Sequence, residues 1–271
     1  MNGGSADGRT WDLGADGKVA LVTGGAAGLG RACAEAFAAA GYRLVLADID
    51  RQSGEASAAE LAAAGPGAFF VAADVGLPAG AAAAVGAAVE QWGRLDLVLN
   101  NAGISGRGSP IEELEEENLD RVLAVNLKGP FYVCKHAVPA MRKGGGGVIL
   151  NVASITAGAG SADYAAYAVA KAGVMTLTRS LARRLGRYNI RINCLNPGSI
   201  EGTGLMREER QTVDQAQLQL QKMAKLKNIP LGRAARPQDV ANLALFLASP
   251  LARHIHGAVL TIDGGESLGY Q

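Results

Sequence analysis

The stretch from Lys18 to Asp48 limits the possible folds most. Residues 18–22 form an apolar run without polar–apolar alternation, as expected of a strand buried on both faces of a parallel sheet. The run ends in Thr23-Gly24-Gly25-Ala26-Ala27-Gly28-Leu29-Gly30. A helical segment follows, with Ala32, Cys33, Ala36, Phe37 and Ala40 on its apolar side, and stops at Gly41. Residues 43–47 form a second strand that ends at Asp48. Glycines allow a tight turn and a close approach to a pyrophosphate, whose negative charge suits a helix N-terminus. An acid about twenty residues further on can bind ribose hydroxyls. Asp48 stands in that place, although the glycine spacing is G-x-x-x-G-x-G (Gly24, Gly28, Gly30).

The alternation continues along the chain. Helical segments are expected over 54–64 and 78–91, and strands over 68–72 and 95–99. The acidic run 112–117 sits near a helix start, where its charge suits the dipole, and reads as a solvated face. Asn126 falls inside a helical pattern that runs toward Met141. Glycines 144–147 make a turn before the strand that leads to Ser154, and a long helix is expected from about Ser161. Residues 189–195 and 258–262 read as strands, and a helix opens at Pro237 and runs to about Ala248. Strands alternating with helices, without repeat or linker, predict one doubly wound α/β domain. Residues 1–16 read as a disordered lead and 17–271 as the domain. Residues 199–231 are polar and least regular, and read as a substrate lid whose inner surface draws on Leu205, Met206, Leu218 and Met223.

The chemistry-bearing stretch is 151–171. Ser154 falls just past a strand end, where a ligand can reach it. Tyr167 and Lys171 are four residues apart, which puts both on one helix face about one turn apart. A free phenol titrates near pH ~10, and a neighbouring cation favours the phenolate and lowers that value. Tyr167 can then exchange a proton near neutrality while Ser154 hydrogen-bonds the substrate oxygen. Taken alone, the pair more often means a core tyrosine and a solvated lysine, and the rest of the chain changes those odds. Tyr164 competes for the role, but its i+4 partner is Ala168, which supplies no cation. Ser154 lies between Ala153 and Ile155, without the glycine elbow of a serine hydrolase.

Composition narrows the classes. A chain of 271 residues, 49% hydrophobic and 19% charged, can bury a sizeable core. The net charge of +1 comes without a basic stripe, which argues against a nucleic-acid partner. Cys33, Cys134 and Cys194 are far apart and odd in number, so neither a metal nor a disulfide framework is expected and a reducing cytoplasm fits. His254 and His256 read as loop residues, not ligands. There is no leader-like apolar core near the start and no apolar run of the ~20 residues that a membrane span needs.

Together Thr23-Gly24-x-x-x-Gly28-x-Gly30, Asn100-Asn101-Ala102-Gly103, Asn126, Ser154, Tyr167-x-x-x-Lys171 and Pro197-Gly198 resemble the short-chain dehydrogenase/reductases, in order and spacing, over about residues 17–265. The resemblance implies a Rossmann fold with seven parallel strands and a nicotinamide cofactor. It implies Tyr167 as general acid/base, Lys171 as the cation that depresses its pKa and holds the nicotinamide ribose, and Ser154 as the group that orients the substrate oxygen. It gives Asn126 a water that links Lys171 to solvent. Gly24, Ala27, Gly28, Leu29 and Gly30 would face the pyrophosphate, and Asp48 and Ile49 the adenosine ribose. Asp74 and Val75 would line the adenine, Asn101, Ala102 and Gly103 the cofactor floor, and Pro197, Gly198 and Ile200 the nicotinamide end. Where the family often carries Pro-Gly-x-Ile-x-Thr, this chain has Gly202 in the last place and Thr203 one later.

Asp48 would bond the ribose diol and repel a 2′-phosphate, and neither Ala27 nor Ile49 offers a cation, so NAD is expected. The expected activity is hydride transfer between NAD and a secondary alcohol or ketone. The alternatives are an NADPH-dependent reductase of 3-oxoacyl thioesters and a non-catalytic NAD-binding protein. A homotetramer, or a homodimer, is the family-level expectation, built through the helices around Asn126 and Tyr167 and the last strand.

Overall fold

The computed structural model describes residues 13–202 and 226–269. Seven parallel strands form one sheet in the order β3-β2-β1-β4-β5-β6-β7. They are β1 (Val19–Thr23), β2 (Arg43–Asp48), β3 (Ala68–Ala72), β4 (Leu97–Asn100), β5 (Gly147–Val152), β6 (Ile190–Pro197) and β7 (Val259–Ile262). Every residue of β1 and β4 is buried, which is why neither strand alternates in sequence.

Helices cover both faces. On one side α1 (Gly28–Ala39), α2 (Arg51–Ala64) and α8 (Pro237–Ala248) pack Phe37, Leu61 and Leu247 against Leu44, Leu46 and Leu97. On the other, α3 (Pro78–Trp92) and α5 (Gly129–Lys143) set Val85, Val133 and Met141 against Val19, Val98 and Ile149. Between the strands of the second half run α4 (Glu116–Leu123), the short α6 (Thr156–Ala159) and α7 (Ala165–Leu185). The strand order reverses between β1 and β4. In such sheets the crevice at the carboxyl ends of those two strands is where ligands bind.

Most boundaries fall within two or three residues of the sequence expectation, and three differences have physical causes. Asp50 caps α2 by accepting from the Ser53 amide at 3.0 Å, so that helix begins at Arg51 and not at Gly54. The helix expected from about Ser161 is α7, which starts only at Ala165, and the glycine-containing loop before it holds the short helix α6, which stops at Gly160, at φ +77°. The helical pattern expected to carry Asn126 toward Met141 is present, with a π-helical turn, Ala124–Lys128, joining α4 to α5. Residues 1–12 of the expected lead lie outside the described residues; Ala15 is buried against the core. Thr203, Leu205, Met206, Leu218 and Met223 also lie outside them.

Candidate active site

The glycine loop joins β1 to α1. Gly24 and Gly28 have φ of +63° and +56°, a left-handed conformation that glycine adopts without steric cost. At Gly30 the constraint is space: a Cβ there would lie 2.6 Å from Asn101 Nδ2 and would strike the Gly24 carbonyl. No side chain caps α1, whose N-cap is Ala27, so its first N–H groups are left for an anion. The loop is bolted to the end of β4 by Thr23. Its Oγ1 donates to the Leu99 carbonyl (3.3 Å) and accepts from the Asn101 and Ala102 amides (3.0 and 3.1 Å). Asn101 replies by donating from Nδ2 to the carbonyls of Thr23 and Gly24, at 3.0 and 3.1 Å.

Asp48 ends β2 beside this loop. One carboxylate oxygen accepts from the Ala26 amide and the other from the Asp50 amide, both at 3.1 Å. Ile49 is 74% exposed. Asp74 is exposed past the end of β3 and accepts from the Gly76 amide at 2.9 Å, while Val75 is buried.

The second group gathers around Gly103. A Cβ on Gly103 would lie 2.7 Å from Asn126 Oδ1 and 3.3 Å from Lys171 Nζ. Asn126, in the π-helical turn, donates from Nδ2 to the carbonyls of Ile104 (2.8 Å) and Val122 (3.0 Å) and accepts from the Ile104 amide (3.3 Å). Lys171 is 3% exposed. It donates to the Val152 carbonyl at 2.9 Å and stands 5.6 Å from the centre of the Tyr167 ring. Ser154 lies close enough to the Tyr167 hydroxyl to pull the phenol's pKa down. Ser154 also donates to Thr156 Oγ1 at 3.0 Å. The Ile155 amide donates to the Pro197 carbonyl at 3.0 Å, which ties the serine loop to the end of β6. Thus glycine loop, acid, serine, tyrosine and lysine all lie past the carboxyl ends of neighbouring strands.

The family model described as enoyl-(acyl carrier protein) reductase matches residues 24–267. Trans-4-hydroxycyclohexanecarboxylate dehydrogenase of Sinomonas cyclohexanicum is 42% identical over 93% of this chain and 93% of that protein. This chain belongs to the short-chain dehydrogenase/reductase family. Among solved structures of this dehydrogenase/reductase family, levodione reductase is similar at a TM-score of 0.88 and 35% identity, covering 94% of this chain and 99% of the other. The 3-ketoacyl-(acyl-carrier-protein) reductase of Brucella melitensis, complexed with NADH, has a TM-score of 0.84 and 37% identity over 93% and 99%.

One electrostatic expectation for this dehydrogenase/reductase is overturned. Lys171 does not bring the phenol below its ordinary value in the protein by itself. Burial pushes Tyr167 up to about 12, against a smaller downward pull from Ser154. Burial also lowers the Lys171 ammonium to about 8. The reason is depth: desolvation penalises both charged forms, and spacing along a helix does not reveal it.

Several supports were not picked out from the sequence. The bolting role of Thr23, named in the sequence only as part of a motif, is one, and the Val152 carbonyl that holds Lys171 is another. A third is a buried chain in which Asn100 Nδ2 donates to Asn151 Oδ1 (2.8 Å) and Asn151 Nδ2 to Thr178 Oγ1 (2.9 Å). Thr178 lies seven residues after Lys171, two turns on along the same face, so its spacing was a readable signal. His256 accepts from the Ile192 amide at 3.2 Å and faces the Ala182 carbonyl at 2.8 Å, a structural bolt. No group of metal-ligating side chains occurs among the described residues.

Proposed function

We propose that this enzyme moves a hydride between NAD and a secondary alcohol or ketone, with Tyr167 as the general acid/base. The observation that carries the reading is the convergence of three groups: buried Lys171 stands 5.6 Å from the Tyr167 ring, and Ser154 acts on the same phenol. The cofactor assignment is supported by the glycine loop, where Gly24 and Gly28 turn the backbone at positive φ into the start of α1, whose first turn has no side-chain cap. Gly24, Ala27, Gly28, Leu29 and Gly30 would hold the pyrophosphate. Asp48 with Ile49 would hold the adenosine ribose, and Asp74 with Val75 the adenine. Asn101, Ala102 and Gly103 would form the floor, and Pro197, Gly198 and Ile200 the nicotinamide end.

Bound oxidised nicotinamide supplies a hydride acceptor and a positive charge. Tyr167 takes the alcohol's hydroxyl proton as the carbon loses its hydride, and returns it to the carbonyl oxygen in reduction. Ser154 orients that oxygen by hydrogen bonding. Lys171, held by the Val152 carbonyl, would hold the nicotinamide ribose, and Asn126 shapes the floor next to it. The negative charge of Asp48 disfavours a 2′-phosphate, and Arg51, the nearest cation in sequence, pairs with Glu55 at 3.0 Å. Both points support NAD over NADP and count against the NADPH-dependent thioester reductase. Three free, buried thiols support a reducing compartment such as the cytoplasm.

A panel of secondary alcohols, followed by NADH absorbance, tests the reading. Turnover is expected with NAD well above NADP. Tyr167→Phe is expected to lower kcat by about 10³-fold, the usual range for a lost acid/base group, with the NADH Kd little changed. A wide preference for NADP ends the cofactor argument, and a Tyr167→Phe enzyme of near-normal kcat ends the catalytic one.

A further inference from the structure

We infer that Glu266 is a positioning residue for the turn Pro197-Gly198-Ser199-Ile200, which rests on the reading above that this turn receives the nicotinamide end. Glu266 begins the short 3-10 turn after β7, far from the turn in sequence. Its Oε2 accepts from the Ser199 amide at 2.7 Å and its Oε1 from the Ser199 hydroxyl at 2.8 Å. Hydrogen bonds to an ionised carboxylate are shorter and stronger than neutral ones, and these two grip a single residue from both its backbone and its side chain.

The same carboxylate gives Gly198 a reason of its own. A Cβ on Gly198 would lie 2.7 Å from Glu266 Oε2 and 2.6 Å from Asp263 Cβ. The side chain that Gly198 lacks is therefore replaced by the carboxylate that holds the next residue. Asp263 in turn fixes the strut from below, accepting from the Gly265 and Ser267 amides at 2.9 and 2.8 Å. Backbone bonds hold the rest of the turn: the Gly198 amide to the Ile262 carbonyl (3.1 Å), and the Ala235 amide to the Ser199 carbonyl (2.9 Å). Since the Pro197 carbonyl also receives the Ile155 amide at 3.0 Å, the position of this turn bears on the loop that carries Ser154.

Glutamine can reproduce both bonds, its amide oxygen accepting the Ser199 N–H and its NH₂ donating to the hydroxyl; alanine can reproduce neither. The test is NADH binding by fluorescence titration on the full-length enzyme, which needs no substrate. Glu266→Ala is expected to weaken NADH about tenfold, the loss of one to two charge-assisted bonds. Glu266→Gln is expected to restore most of that loss, and Ser199→Ala to fall between. Unchanged NADH affinity in Glu266→Ala and Ser199→Ala, with only a lower melting temperature, overturns the inference, as does a Gln variant no better than Ala. Should Glu266→Ala fail to fold, Ser199→Ala and Glu266→Gln still decide it. Repeating the titrations with NADPH separates a failure here from a wrong choice of cofactor.

Discussion

Lys171 is an ammonium placed where water is excluded, and the cost of that placement is measurable. Its folded-state pKa is about 8, against an ordinary value of 10.5. Between those values the unfolded chain binds a proton that the folded protein does not. Stability attributable to this group therefore rises with pH from about 8 to 10.5, and the penalty is fully present below 8. Tyr167 works in the opposite sense at higher pH: its folded pKa of about 12 means that stability is lost as pH climbs from 10 to 12. Urea denaturation of wild type and Lys171→Met at pH 7, 8, 9 and 10 isolates the lysine. The wild type is expected to gain on the variant steadily above pH 8, and parallel pH profiles would show that the burial argument is wrong. At this scale the i, i+4 pairing of Tyr167 and Lys171 was legible, because helical spacing alone sets proximity. The direction of the phenol's shift was not, because it depends on how many other elements cover the pair.

At the scale of elements, the site depends on how α7 sits on β5. Two bonds fix that contact: Lys171 to the Val152 carbonyl, and Asn151 Nδ2 to Thr178 Oγ1. Thr178 and Asn151 are both buried, so neither finds water as a substitute. Thr178→Val keeps the shape and removes the acceptor, which leaves a buried amide donor unsatisfied. A loss of about 1–3 kcal/mol is expected, read as a shift of the urea midpoint, and a change below about 0.5 kcal/mol, the level of neutral surface substitutions, would mean that the pair does not anchor the helix. The order of strands and helices was legible from apolar runs and glycine stops. The π turn at Asn126 was not: the hydrophobic pattern carries on through it, while the helix widens there and the Asn126 side chain meets the Ile104 and Val122 carbonyls. The start of α7 falls four residues later than expected, because Tyr164 is still non-helical at φ −123° and ψ 46°.

For the whole molecule, the parallel sheet leaves two unpaired edges and two outer helix layers. Most of that surface is polar, but Phe131 on α5 and Val169 on α7 are 49% and 62% exposed. Near the edge strand β7, Leu268 is 83% exposed. Scattered single apolar residues need no explanation, whereas apolar residues on the outer faces of the two helices that frame the site are where a partner copy would gain most. A net charge of +1 puts little self-repulsion in the way of association. We propose that the enzyme is a homo-oligomer joined through the outer faces of α5 and α7, with β7 and the residues after it as a second contact. The double variant Phe131→Glu, Val169→Glu would place two carboxylates in that contact, where an unpaired buried charge is strongly unfavourable. Light scattering after size exclusion is expected to give at least twice the chain mass for wild type and a clear fall for the variant. A monomeric wild type, or a variant of unchanged mass, would move the contact away from these helices and leave Phe131 and Val169 as ordinary surface residues.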